Sequence, residues 1–373
     1  MEIAFIFPSS LKSVGGVCNW AKEVIPRLYR RGISVKIYAS EFIDGQATDI
    51  TVNMLRKYNI AYTELPIKHL LKRLYITPFT KEGIRRLESE LSTSDIIYIQ
   101  NIFIGQDKQL LELMYKLKKP VIVGYHTPLF NNRFLHDLCV KVRLLNIWKK
   151  FSAHHVLTNE QKEILLSHNF KNVFLIPNGI DTRNFIPNFV KDNDVFKILF
   201  LGRLNKIKGI NLLLEAARNL YAKGLTNIKF IIAGDGPLKV KVLDFATRYY
   251  NIEYRGFINE ELKKELYRQA HVFVLPSKAE GFPLTILEAM ASGCYIISSS
   301  DYGIVPKGNI ILKELTVHAL EKAIISSFHL FTKNKNLYYE IIKTNRYVIE
   351  KYDWDVVVEQ LIQMFKEVYK IYV

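Results

Sequence analysis

Short β-branched apolar runs alternate with stretches of helical period along nearly the whole chain. Ile3–Phe7, Val35–Tyr38, Ile96–Ile99, Val121–Tyr125, His155–Thr158 and Val173–Ile176 read as one series of strands. Ile198–Leu201, Lys229–Ala233, Ile252–Arg255, Val272–Leu275 and Tyr295–Ser298 read as a second. Between them apolar residues recur at helical spacing, for instance over Trp20–Arg31, Leu212–Lys223, Leu262–Ala270 and Val317–His329. Strands alternating with helices predict parallel sheets and an α/β class. The periodicity lapses between Asp181 and Phe196, where a proline and several asparagines interrupt it. The pattern therefore predicts a doubly wound domain over 1–182, a linker over 183–196, a second such domain over 197–351, and an amphipathic helix over 352–373. Asp353 or Asp355 is the expected cap of that last helix.

Composition narrows the class. The 373 residues are 49% hydrophobic and 24% charged, enough to bury two cores. No apolar run approaches the length of a membrane span. The opening Met-Glu-Ile-Ala-Phe-Ile-Phe-Pro has no basic n-region and reads as a first strand, not a signal peptide. Cys18, Cys139 and Cys294 are odd in number and widely spaced, which argues against a disulfide framework or zinc site and favours a reducing, cytoplasmic setting. The net charge of +16 suits nucleic acid, an anionic membrane or an anionic substrate. It is spread over both halves, which disfavours a dedicated nucleic-acid arm, and part of it is accounted for equally well by genome composition.

Candidate chemistry falls on the loops that follow strands. Pro276-Ser-Lys-Ala-Glu-Gly-Phe-Pro-Leu-Thr-Ile-Leu-Glu-Ala-Met-Ala-Ser-Gly293 runs from a strand end into a helix over Leu284–Ala291. Glu280 thus stands at the carboxyl end of a strand, and Glu288 stands within the helix beside Leu287, Ala289 and Met290. A carboxylate there is costly to desolvate unless donors reach it, and sugar hydroxyls are suitable donors. Solvated loop and helix charges are the plain alternative. Arg203 and Lys208 lie between a strand and a helix, where they are either solvated loop charges or two cations able to neutralise a diphosphate without a metal. Gly15 and Gly16 follow the first strand and suit a close backbone approach to an anion, or simply a tight turn. Gly234 and Asp235 form a glycine turn with a carboxylate able to cap it or to accept from a ligand. Phe257 and Ile258 are apolar residues suited to the core. His126 ends a strand, whereas the adjacent His154 and His155 have no metal-ligand partner in view.

Together these segments resemble the retaining glycosyltransferases of family 4. The carriers are Gly-Gly at 15–16, Ile-Pro-Asn-Gly-Ile-Asp over 176–181, Gly-Arg at 202–203 with Lys-Gly at 208–209, Gly-Asp-Gly-Pro over 234–237, and Glu280-Gly-Phe with Glu288-Ala-Met-Ala. They occur in the family's order over nearly the whole chain. The resemblance implies a GT-B architecture, in which two facing Rossmann-like domains flank a cleft and the C-terminal helix crosses back to the first domain. It implies transfer of a hexosyl group from a UDP- or GDP-sugar, with retention, to a glycan, glycolipid or lipid-linked acceptor. By the same resemblance Glu288 holds ribose hydroxyls, Glu280 sugar hydroxyls, and Arg203 with Lys208 the diphosphate. Gly15, Gly16, Gly234, Asp235, Phe257, Ile258, Gly281, Phe282, Pro283 and Leu284 complete the donor site, His126 contacts the transferred sugar, and no metal takes part. The stretch after Ile297 is shorter than in typical members, so sugar identity does not carry over. Two basic amphipathic stretches, Lys68–Tyr75 and one containing Phe134, Leu138, Val142 and Leu145, suit ordinary surface helices first and contact with an anionic membrane face second. A nucleotide-sugar epimerase, a non-catalytic nucleic-acid binder and a degenerate sugar-binding paralogue are the alternatives from other classes.

Overall fold

In a computed structural model, which describes residues 1–372 except 13–14, 44–46, 69–76, 128, 130–133 and 193, both series of apolar runs become parallel sheets. The first contains β1 (Glu2–Phe7), β2 (Ser34–Ser40), β3 (Ala61–Leu65), β4 (Ile96–Gln100), β5 (Val121–Tyr125), β6 (Ala153–Val156) and β7 (Val173–Leu175). Its strand order is β3-β2-β1-β4-β5-β6-β7. The second contains β8 (Phe196–Leu201), β9 (Ile228–Ala233), β10 (Ile252–Gly256), β11 (Val272–Leu275), β12 (Tyr295–Ser298) and β13 (Ile310–Ile311), ordered β10-β9-β8-β11-β12-β13. The chain divides into one unit of residues 1–178 with 354–373 and another of residues 179–353, each Rossmann-like.

Helices cover the sheets because parallel strands must be buried on both faces. In the first unit these are α1 (Gly16–Arg30), α2 (Ile50–Lys57), α3 (Lys81–Leu91), α4 (Gln106–Leu117), α5 (Phe134–Asn146) and α6 (Asn159–Ser167). The second has α7 (Ile210–Ala222), α8 (Lys239–Arg248), α9 (Glu260–Gln269), α10 (Leu284–Ala291), α11 (Val317–Lys333) and α12 (Lys335–Ile349). The last helix, α13 (Trp354–Tyr372), belongs to the first unit. Alternation along β1 sorts the core: Ile3, Phe5 and Phe7 pack with α1 and α13, while Ala4 and Ile6 pack on the opposite face with α3 and α4. Arg31 ties α1 to α13 through Asp355 (3.0 Å) and Glu359 (2.5 Å).

Several local expectations shift. The strand expected over His155–Thr158 lies at Ala153–Val156, because the Gln161 side chain takes the Leu157 N–H (2.8 Å) and Thr158 caps α6. Strand β3 has no alternating pattern to announce it: it is an edge strand with only Leu65 buried. Asp353, one of the two expected caps, directly precedes α13 and accepts from the Thr182 hydroxyl (2.6 Å), while Asp355 pairs with Arg31. Among the described residues no helix is long and apolar enough to cross a membrane.

Burial holds three histidines neutral. It pulls His154 down to about 3 and His155 and His271 to about 4, from an ordinary 6.5. The unfolded chain binds these protons near pH 6.5, whereas the folded chain refuses them until near 4. Their contribution is therefore present above pH 6.5 and lost as pH falls through the folded values. At pH 5 a histidine held at 4 costs about 2 kcal/mol of stability. Calorimetric melting is expected to show a clear fall in Tm between pH 7 and pH 5, and a flat profile would contradict the buried neutral state.

Candidate active site

Strand order reverses between β1 and β4 in the first sheet and between β8 and β11 in the second. At such points the loops leaving the carboxyl ends diverge and open a crevice for ligands. The two loops at the second reversal, 202–209 and 276–283, carry Arg203, Lys208 and Glu280. They touch backbone to backbone. Gly209 has φ +73°, and a Cβ there would collide with the Pro276 carbonyl oxygen. The Lys278 N–H donates to the Ile207 carbonyl at 2.8 Å. The turn after β9 joins them, since Gly234 has φ +131° and its Cβ would strike the Gly202 carbonyl.

This packing places Lys208 Nζ 2.7 and 2.8 Å from the two Glu280 oxygens. The Glu280 side chain is 9% exposed and that of Lys208 27%. The Lys208 N–H donates to Asn205 Oδ1 (2.9 Å), which fixes the loop beneath the ammonium group. Arg203 is exposed and has no ion-pair partner among the described residues. Asp235 caps its own turn at the Gly236 N–H (2.7 Å) and lies 3.6 Å from Lys239. Phe257 is 69% exposed after β10, Ile258 is half-buried, Phe282 and Pro283 are buried, and Gly281 and Leu284 are half-buried. The stretch after Ile297 joins the same loops, since the Ser299 hydroxyl donates to the Ser277 carbonyl at 2.6 Å.

Glu288 sits apart from that pair. Its carboxylate accepts from Lys263 Nζ (2.8 Å) and the Tyr267 hydroxyl (2.9 Å), both on α9. Burial lifts its pKa above the ordinary range, against the pull of Lys263 and Tyr267. Ligand hydroxyls are the donors expected from the sequence; the protein supplies its own instead. Neither Lys263 nor Tyr267 stands out in the sequence, although four-residue spacing in a helix puts both on one face.

In the first unit, Gly15 precedes α1 with extended backbone, and a Cβ on Gly15 or Gly16 would meet nothing within 4 Å among the described residues. Ser13 and Val14 lie outside the described residues. His126 follows β5, its Nε2 2.9 Å from the Tyr98 hydroxyl and its N–H donating to Asn101 Oδ1 at 2.7 Å. Burial, reinforced by neighbouring His155, pulls its pKa well below the ordinary value. Most of the Lys68–Tyr75 stretch lies outside the described residues. On α5 the side chains of Phe134 and Leu145 lie outside the described ones. Val140 is buried, but Leu138 and Val142 are each 49% exposed on either side of exposed Lys141. The Trp148 indole donates to buried Asp107 (3.0 Å).

The chain matches two family models: Glycosyltransferase Family 4 over residues 14–184 and Glycosyl transferases group 1 over residues 181–328. It is 28% identical over 201 residues to an uncharacterized glycosyltransferase of Methanocaldococcus jannaschii, covering 49% of this chain and 48% of that one. It is 32% identical over 162 residues to a human phosphatidylinositol N-acetylglucosaminyltransferase subunit, covering 41% and 33%. It is 30% identical over 188 residues to a Campylobacter jejuni α-1,4-N-acetyl-D-galactosaminyltransferase named for an undecaprenol diphosphate glycan, covering 48% and 51%. The matched regions thus span about half or less of these relatives. Among solved structures, Anabaena HepE in complex with UDP aligns with TM-score 0.73 at 16% identity, covering 98% of this chain and all of that one. A Thermosynechococcus elongatus sucrose-phosphate synthase aligns with TM-score 0.72 at 17% identity over the full length of both. At such identities the likeness shows the GT-B fold.

Proposed function

The chain belongs to glycosyltransferase family 4, and on that premise we propose that it transfers a hexosyl group from a UDP- or GDP-sugar, with retention, to a glycan or lipid-linked acceptor. The observation that carries this reading is the Lys208–Glu280 pair beside exposed Arg203, at the strand-order reversal of the second sheet. Arg203 and Lys208 are the cations that meet the donor diphosphate. They stabilise the negative charge that grows on the departing nucleotide, so the step needs no metal. Glu280 orients the sugar hydroxyls, and Glu288 holds the ribose within reach of Lys263 and Tyr267. The backbone at Gly15 and Gly16, at the N-terminus of α1, suits an anionic or polar ligand group.

The acceptor chemistry is supported by relatives named for lipid-linked or phosphatidylinositol substrates. Exposed Leu138 and Val142 with Lys141 suit a peripheral contact with an anionic membrane on its cytoplasmic face. Thermal shift with UDP-, GDP- and ADP-sugars tests the donor assignment. A ligand at 100 times its Kd adds about 2.7 kcal/mol to the folded state, so the correct donor is expected to raise Tm by roughly 5 °C or more. No shift with any nucleotide sugar would sink the donor site.

A further inference from the structure

Three aromatic side chains of the first unit form a continuous hydrogen-bonded series that ends at His126. His155 Nε2 lies 2.7 Å from the Ile176 carbonyl oxygen, and His155 Nδ1 lies 2.7 Å from the Tyr98 hydroxyl. The same hydroxyl is 2.9 Å from His126 Nε2. A carbonyl only accepts, so His155 must carry its proton on Nε2. Buried and neutral, it then offers a bare Nδ1. Tyr98 has one hydroxyl proton and must donate it there. Its oxygen is left to accept, so His126 carries its own proton on Nε2.

His126 Nδ1 is therefore a lone pair, and it is buried with no partner among the described residues. Leaving such an acceptor unpaired is unfavourable, and a hydroxyl donor would relieve that. The surroundings hold the ring where it is. Trp20 packs edge-on against it at 5.1 Å between centroids and stacks on Tyr98 at 5.6 Å. The Asn101 amide oxygen takes the His126 N–H. Gly124 allows the contact, since a Cβ there would collide with the Tyr98 hydroxyl and stand 2.9 Å from His126 Nε2.

We propose that Tyr98, itself oriented by His155, is a positioning residue that fixes His126 as the Nε2–H tautomer and presents its Nδ1 as an acceptor for a hydroxyl of the transferred sugar. The sugar part of this inference rests on the glycosyltransferase reading; the tautomer does not. In that state His126 accepts a hydrogen bond and is neither a cation for phosphate nor a proton donor at Nδ1. Orientation through a second residue is how ligating histidines are commonly held, and loss of such a partner costs about ten- to a hundredfold in function.

The experiment is nitrogen NMR of the ligand-free full chain labelled with ¹⁵N-histidine, the His126 signals being assigned by their loss in His126→Gln. Wild type is expected to show a pyridine-like Nδ1 and a pyrrole-like Nε2 at His126, and Tyr98→Phe a mixture of tautomers. In the transfer assay Tyr98→Phe is expected to lose about tenfold in kcat/KM with its fold intact. His155→Asn, whose amide oxygen can still accept from Tyr98, should retain more activity than His155→Leu. A protonated Nδ1 in wild type overturns the tautomer. Unchanged spectrum and rate in Tyr98→Phe overturn the positioning role. The expected tautomer in a chain that transfers from no donor keeps the relay and overturns the sugar assignment.

Discussion

Replacing Lys208 by alanine is expected to cut glycosyl transfer by on the order of 10²- to 10³-fold, the range seen when a preorganised donor to transition-state charge is removed. Lys208 Nζ spans both oxygens of Glu280, so the substitution has two effects at once. It removes a cation from the position assigned to the diphosphate, and it leaves Glu280, only 9% exposed, without its donor. The second effect predicts a modest fall in Tm, the first a fall in rate far larger than any unfolding explains. Lys208→Arg separates them. It keeps the charge but not the compact ammonium that the loop is shaped around, so it should recover stability before it recovers rate. The measurement is nucleotide release with donor and acceptor present, alongside thermal unfolding. Wild-type transfer by Lys208→Ala would remove it from the site.

Glu288→Ala is expected to weaken donor affinity by roughly ten- to a hundredfold, the effect of losing a hydrogen-bonded charge contact of about 1.5–3 kcal/mol. The single variant is ambiguous, because Glu288 also neutralises Lys263, whose side chain is 15% exposed. Lys263 keeps exposed Glu260 at 2.7 Å when Glu288 is lost, so the fall in stability is expected below the roughly 3–5 kcal/mol of a fully stranded buried charge. The double variant Glu288→Leu/Lys263→Met resolves this, since it removes both charges and fills the space with apolar groups. If Glu288 serves only to pair Lys263, the double variant regains both stability and donor binding. The ribose assignment instead expects Tm to recover while donor affinity stays low. Titration with the nucleoside diphosphate and thermal melting decide between these outcomes.

The two glutamates show how far sequence carries and where it stops. Glu280 is expected on a loop after a strand and is found there, after β11. Nothing in its neighbourhood names Lys208 as its partner, because the two lie 72 positions apart and meet only when β8 and β11 pair. Glu288 is expected on a helix among apolar residues, and it is. Its donors come from α9, which precedes it by a strand and a loop, so desolvation weighed on its own helix points to a ligand that is not needed to satisfy it. His154 and His155 offer no metal-ligand pattern and, from sequence, no role. His155 acquires one only because β5 and β6 are neighbours and Tyr98 on β4 reaches between them.

The succession of strands and helices, the α/β class, the family and the loops on which polar residues stand are legible in the chain alone. These follow from local periodicity and from motifs read in order along the chain. Tertiary structure decided which loops touch, that Lys208 closes on Glu280 and Lys263 with Tyr267 on Glu288, and which nitrogen of His126 carries the proton. Those outcomes depend on strand order and on backbone contacts as close as Gly209 to Pro276, set between residues far apart in the chain and so absent from any local pattern.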